Sequence, residues 1–417
     1  MYMRFGKLMV GPGILVVGML VSLCGILEAK KSVGSAAETQ AASQQPSSDS
    51  VRRGLAWLVR TQHENGGWSQ GEESLTMGQG MGNLRDKPNV ADTCMATLAL
   101  MRAGSTPSSG EYARPIRRGI DFIMTEVESS DRESLYVTGV RGTRVQSKLG
   151  PYIDTFLTGL VLAEVKGKIN DEAGNRRLIA TLDKVMDKIE RNQRQDGTWS
   201  GDGWAPVLSQ AMAAKAVNRA AQAGARVSEA TRTKTEAYAR KQFDKKSGSF
   251  EGGGSAGVDL YASAGNLGAM QDSDDTNRGK ERDLQKRLQN ARNEPERKDA
   301  RDALARIEEN RKDLAQAKSA VVQKLTNERF VQGFGSNGGE EFLSYMNIGE
   351  SLAAQGGEEW QRWYRSISEN LNRIQNQDGT WTGHHCITGR TFCTSAALLV
   401  LTVDRASGPL AARLQRR

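Results

Sequence analysis

The chain has 417 residues, of which 38% are hydrophobic and 25% are charged, as in a soluble globular protein with a real core. Its formal net charge of +8 is small for this length, so it favours anionic partners only weakly and does not require nucleic acid. Three cysteines lie beyond residue 31, which excludes a disulfide-rich scaffold in a domain this large.

Residues 1–31 predict a signal peptide or a membrane anchor. Arg4 and Lys7 precede an apolar run from Leu8 to Leu27, which is the order of an export signal. The run is just long enough to span a bilayer, so we favour a retained anchor slightly over a cleaved signal. Both alternatives place the rest of the chain outside the cytoplasm, membrane-anchored or secreted. Residues 32–49 are rich in Ser, Ala and Gln and predict a flexible linker.

Three segments share the pattern Gln-x-x-x-Gly-x-Trp, at residues 62–68, 193–199 and 375–381. Each follows an amphipathic helical pattern and precedes a helical pattern rich in Ala and Leu. The Asn-Gly or Asp-Gly pair supplies a turn with positive φ beyond a helix end. We expect the Trp to fold back between neighbouring helices and the Gln to satisfy open backbone groups at the helix terminus.

The repeats predict six pairs of helices. One member of each pair is amphipathic and should face water, and the other is apolar nearly all round and should be buried. The outer helices should start near residues 50, 115, 175, 228, 318 and 358, and the inner ones near 91, 152, 205, 257, 342 and 391. Residues 50–417 are therefore predicted to be an all-α domain, an (α/α)6 toroid in which six pairs close a ring. An open helical solenoid is the alternative.

Residues 271–318 interrupt the repeat. Between Arg278 and Lys318 the chain holds 13 Lys or Arg and 9 Asp or Glu residues. Apolar residues at helical spacing on both sides of Pro295 predict a charged helical hairpin, like a short coiled coil, that runs into the fifth outer helix. It is either a solvated spacer or a docking arm for another protein. Its mixed signs argue against a nucleic-acid surface.

The Gln-x-x-x-Gly-x-Trp repeats and the Ala/Leu-rich inner helices resemble those of the terpenoid cyclase and protein prenyltransferase superfamily. The resemblance covers about residues 50 to 405. The repeat motif is specific for the fold and weak for activity. The chain has one toroid where squalene-type cyclases have two, and its aromatic content of 6% is low for a cavity that stabilises carbocations.

Parallel inner helices would gather their amino ends, with their positive dipole ends, on one face of the ring, which is a natural ligand site. The side chains expected at or near this cleft are Asp92, Asp154, Trp204, Asp259, His384 and His385.

The resemblance implies a zinc site. Asp92-Thr93-Cys94 is similar to the Asp-x-Cys pair that holds zinc in protein prenyltransferases, with His384 or His385 completing the set. Asp154 occupies the same repeat position without a cysteine two residues later, so helix capping is the alternative explanation of these carboxylates.

The resemblance also implies an acid. Asp272-Ser273-Asp274-Asp275-Thr276 is similar to the Asp-x-Asp-Asp-Thr motif of squalene-type cyclases, whose central Asp protonates an alkene or epoxide. Here it follows an inner helix and leads into the charged hairpin, so a solvated turn or helix cap is the alternative.

The cysteines are candidates for a disulfide in an exported protein. Cys386 could pair with Cys393, or Cys94 with Cys393. Taken together, the sequence favours a protein that binds a small-molecule or protein ligand through its central cleft. The alternative is a zinc- or acid-dependent isoprenoid transferase or cyclase. The ligand and the oligomeric state stay open.

Overall fold

The structure is a computed structural model, and it describes residues 48–73, 82–335 and 337–405. The predicted signal or anchor, and all of the predicted linker except its last two residues, lie outside the described residues. The described residues are almost entirely helical, which confirms the predicted all-α class. Their only strands, β1 (Phe243–Asp244) and β2 (Ser249–Phe250), form a small antiparallel pair.

Six helices are buried on nearly every side, the fourth of them only as far as Asn277, because the buried sequences are dominated by Ala, Leu, Val, Met and small polar residues. We call them the inner helices: α2 (Val90–Arg102), α5 (Ile153–Val165), α7 (Pro206–Gln222), α9 (Asp259–Gln289), α12 (Gly339–Ala353) and α14 (Arg390–Leu401). Each begins within a few residues of its predicted start. Each packs against the next in chain order, and α14 packs against α2. The first and last inner helices are therefore in contact.

Six further helices, the outer helices, pack against the inner ones. They are α1 (Asp49–Arg60), α3 (Ala113–Ser129), α6 (Glu172–Arg191), α8 (Glu229–Lys241), α10 (Glu294–Lys324) and α13 (Gly357–Arg373). Short helices α4 (Arg144–Leu149) and α11 (Glu328–Gln332), and a 3-10 turn at Val403–Arg405, lie in the connections.

The Gln-x-x-x-Gly-x-Trp turns join neighbouring outer helices. In the first, the indole Nε1 of Trp68 donates to the carbonyl of Leu58 near the end of α1, at 2.8 Å. The amide of Gln62 donates to the carbonyl of Gly66 at 2.8 Å and to that of Pro115, in the first turn of α3, at 2.9 Å. The Gln therefore binds a carbonyl within its own turn and also reaches across to the next outer helix.

The third turn makes the same contacts between the last and first outer helices. Gln375 donates to the carbonyl of Ser50, in α1, at 2.8 Å. Gly379 has φ +91°, and a Cβ placed there would lie 2.8 Å from the Cβ of Arg53. Only glycine satisfies both the positive φ and the close approach of the next helix.

The charged segment is a projection built from two long helices. The inner helix α9 continues without a break through the start of the predicted insertion to Gln289. The turn at 290–293 is followed by α10, in which Pro295 lies at the amino end, and α10 continues into the fifth outer position. The helical hairpin is thus an extension of the fourth inner and fifth outer helices, with no separate insertion.

Candidate functional site

Two predicted carboxylates lie at the amino ends of α2 and α5, and both are buried. Asp154 accepts hydrogen bonds from the backbone N–H of Ala91 at 3.0 Å and from the amide of Gln146 at 2.8 Å. It therefore caps the neighbouring helix α2. Asp92 accepts from the side chain of Asn89, the true N-cap of α2, at 2.7 Å. Burial raises the pKa of Asp92 to about 7 and that of Asp154 to about 6.

A second acidic pair, which the sequence reasoning missed, opens α12. Glu340 and Glu341 are both fully buried. Glu340 accepts a hydrogen bond from the backbone N–H of Ile387 at 3.1 Å, and burial raises its pKa to about 8. Glu341 accepts from the hydroxyl of Tyr261, and its carboxylate lies 3.5 Å from the imidazole of His385. The available signal was the acidic start of an inner helix, as at Asp92 and Asp154.

Aromatic side chains lie beside the acidic pair. The ring centroids of Trp204 and Phe334 are 4.9 Å apart, and those of Phe334 and His385 are 5.2 Å apart, both edge-on. Tyr261 stands edge-on to Trp204 at 6.0 Å, and the ammonium group of Lys148 lies 5.6 Å from the centroid of a Trp204 ring. Phe334 is 55% exposed, which is unusual for so large an apolar side chain.

We call these residues the amino-end cluster: Asp92, Asp154, Trp204, Tyr261, Phe334, Glu340, Glu341 and His385. Its members come from four inner helices and from the loops beside them. Its carboxylates are buried, and Phe334 is its most exposed aromatic side chain.

Strained backbone occurs in the loops that lead into this cluster. Asn337, before α12, has φ +36°, and Cys386, before α14, has φ +56°. The two loops are joined by a hydrogen bond from the N–H of His384 to the carbonyl of Asn337 at 2.9 Å. Each such conformation costs about 1–3 kcal/mol, and strain of this kind concentrates at functional sites.

The structure does not assemble the zinc set that the resemblance implied. Cys94 points at the hydroxyl of Thr158, 3.7 Å away, and His384 is exposed. Asp92 is held by Asn89, and His385 faces Glu341. Within residues 48–73, 82–335 and 337–405, no three His, Cys, Asp or Glu side chains lie close enough together to hold a metal ion.

Two further predictions are corrected. Asp259, expected in the cleft, is half-exposed and pairs with Lys324 of α10 at 2.8 Å, because the side chain turns outward from the first residue of α9. Cys94, Cys386 and Cys393 are buried free thiols, so none of the expected disulfides is present. Cys393 instead donates to the carbonyl of Ile387 at 3.3 Å.

The Asp-x-Asp-Asp-Thr segment is buried inside α9 and is neither a solvated turn nor a helix cap. Asp274 is 2.8 Å from the guanidinium of Arg278 and 3.7 Å from that of Arg311. Asp275 accepts a hydrogen bond from the amide of Gln271 at 2.8 Å. Asp274 is therefore paired with guanidinium groups from α9 and α10.

The first aspartate of that segment belongs to a buried ion network near the carboxyl ends of the inner helices. Lys215 lies 2.9 Å from Asp272 and 2.7 Å from Glu350, and Arg102 lies 2.9 Å from Glu350. Arg219 lies 3.8 Å from Asp272. Burial alone would raise the pKa of Glu350, but the nearby cations, Lys215 foremost, hold it well below its usual range.

Residues 32–140 match the family model of the squalene-hopene cyclase C-terminal domain. The matched stretch includes α1, the first Gln-x-x-x-Gly-x-Trp turn, α2 and α3. This match confirms the predicted resemblance to the terpenoid cyclase and protein prenyltransferase superfamily. No curated protein and no solved structure matches the chain. In the part of the chain that the structure describes, no helix is both long and apolar enough to cross a membrane.

Proposed function

We propose that six helical pairs close an (α/α)6 toroid outside the cytoplasm, and that this toroid binds a ligand or protein partner through the amino-end cluster. The contact between α14 and α2 and the Gln375–Ser50 hydrogen bond support the closed ring. The apolar run from Leu8 to Leu27, which lies outside the described residues, supports export.

One observation carries the binding proposal. The buried carboxylates that open α12 lie beside an aromatic group, and Phe334 in that group is exposed to solvent. A large aromatic ring exposed at the mouth of a buried polar site suits a partner that offers apolar surface. A protein or peptide segment meets this description better than an isoprenoid, which needs an enclosed apolar cavity.

The matched pair Phe334→Ala and Ile179→Ala tests the proposal. Both side chains are large, apolar and exposed, but Ile179 lies on the outer helix α6. Wild-type and variant proteins would be immobilised and exposed to an extract of envelope proteins, and the captured proteins quantified by mass spectrometry. We expect a captured partner to be retained by Ile179→Ala and reduced at least tenfold by Phe334→Ala. Equal capture by the two variants contradicts binding through this cluster.

The alternative function is a zinc- or acid-dependent isoprenoid transferase or cyclase. The family resemblance supports it, and the ion pairs of Asp272 and Asp274 oppose its acid form. Metal analysis of the purified protein, with incubation on squalene and on farnesyl diphosphate, separates the two functions. Stoichiometric zinc lost in Asp92→Ala, or a product lost in Asp274→Asn, would favour the enzyme.

A further inference from the structure

A groove of about 910 Å³ lies on the outer surface between the end of α10, the short helix α11 and α13. Apolar side chains from all three helices form its floor: Val322, Leu325, Val331, Trp363 and Ile367. An apolar groove of this size on the surface of a soluble domain commonly marks a binding site.

The rim of the groove is charged and carries more acid than base. Glu328, Glu359 and Glu369 provide three carboxylates, against the two guanidinium groups of Arg362 and Arg373. An occupant with apolar residues on one side and basic residues on the other would match both the floor and the rim.

The described chain ends beside this groove. A Cβ placed on Gly349 would lie 2.8 Å from the indole of Trp363 and 3.6 Å from a methyl group of Val403, so these two side chains are near neighbours. The hydroxyl of Tyr364 also donates to the carbonyl of Leu401, at 2.7 Å. The chain therefore leaves the described structure, at Arg405, close to a residue that lines the groove.

The twelve residues after Arg405 have the composition that the groove requires. Leu410 and Leu414 are four residues apart, and three arginines follow or separate them: Arg413, Arg416 and Arg417. Twelve residues span at most about 40 Å when extended, whereas the groove runs along α13 for about 20 Å, at 1.5 Å per helical residue. We infer that residues 406–417 dock in this groove, with the leucines on its apolar floor and the arginines beside its glutamates.

Cross-linking within the full chain tests this docking. A double variant would carry Ser366→Cys in the groove and Gln415→Cys in the tail, on a Cys24→Ser background, and would be treated with a short bis-maleimide. The other three native cysteines are buried. The control pairs Gln415→Cys with Ser129→Cys, at the exposed end of α3.

We expect an intramolecular cross-link at Ser366→Cys that is at least tenfold more abundant than at Ser129→Cys. Adding Glu328→Lys and Glu359→Lys should reduce it several-fold, while Glu172→Lys on α6 should leave it unchanged. Equal yields at the two sites overturn the inference. A cross-link only between two chains overturns it in favour of a second copy as the occupant, and circular dichroism checks that each variant is folded.

Discussion

Removing the charge of Lys215 probes whether the middle of the helical assembly is held by ion pairs. Lys215→Met keeps a side chain of similar length, so the main loss is the cation between Asp272, at 2.9 Å, and Glu350, at 2.7 Å. Breaking a buried ion pair costs about 3–5 kcal/mol, because a desolvated charge is left without its partner. Glu350 keeps Arg102 at 2.9 Å and Asp272 keeps Arg219 at 3.8 Å. We therefore expect a cost near the lower end, about 3 kcal/mol.

Urea unfolding followed by circular dichroism, after reversibility is established, measures this cost. Lys298→Met is the matched control, because Lys298 pairs with Asp302 at 3.0 Å on the exposed hairpin, where an ion pair adds little to stability. A double-mutant cycle with Asp272→Asn isolates the pairwise part. If Lys215→Met lowers the free energy of unfolding no more than the control does, the ion pairs of Lys215 are hydrated. The conclusion that buried ion pairs hold the middle of the assembly would then be refuted.

Three further changes test other parts of the structure. Burial raises the pKa of Glu340 from 4.5 to about 8, so the unfolded chain releases this proton at lower pH than the folded protein and stability falls as pH rises between those values. In Glu340→Gln the free energy of unfolding should decrease less between pH 5 and pH 8 than in the wild type, by up to a few kcal/mol. Urea unfolding at the two pH values measures this difference. Gly379→Ala should cost at least about 2 kcal/mol in urea unfolding, because strain at φ +91° adds to a clash with α1. Gly142→Ala, with φ +76° and open space around it, should cost only about 1 kcal/mol, and equal costs would argue against the close approach. Trp199→Phe leaves the carbonyl of Ile189 without its 2.7 Å indole donor and should cost about 1–3 kcal/mol, with faster amide exchange at the end of α6.

The helices could be predicted because their signals are local. Each inner helix is a run of apolar and small residues, and each Gln-x-x-x-Gly-x-Trp turn requires a glycine with positive φ, as at Gly66 and Gly197. Such patterns depend only on neighbours in the chain. The hydrogen bond from Gln62 to the next outer helix depends on tertiary packing. The sequence could therefore suggest only that the Gln62 amide would form a hydrogen bond with the backbone.

The site was harder to predict because a sequence motif does not show whether a side chain is buried or which groups it contacts. Asp272 and Asp274 resemble a cyclase acid in sequence, but cations from α7, from α10 and from within α9 itself surround them. Glu340 and Glu341 belong to no motif. They became visible only once α12 placed Glu341 against Tyr261 and His385, and Glu340 against the backbone of Ile387. Asp259 has the same position in its repeat as Asp92, yet a lysine from the long α10 draws it to the surface.

The packing of α14 against α2 imposes an order on biosynthesis. Nearly every face of α2 is buried in the folded protein, yet α14, which covers one of those faces, is synthesised long after α2. Until α14 has been synthesised, the hydrophobic face of α2 that packs against it is exposed. Apolar surface that stays exposed in this way during synthesis is prone to aggregation.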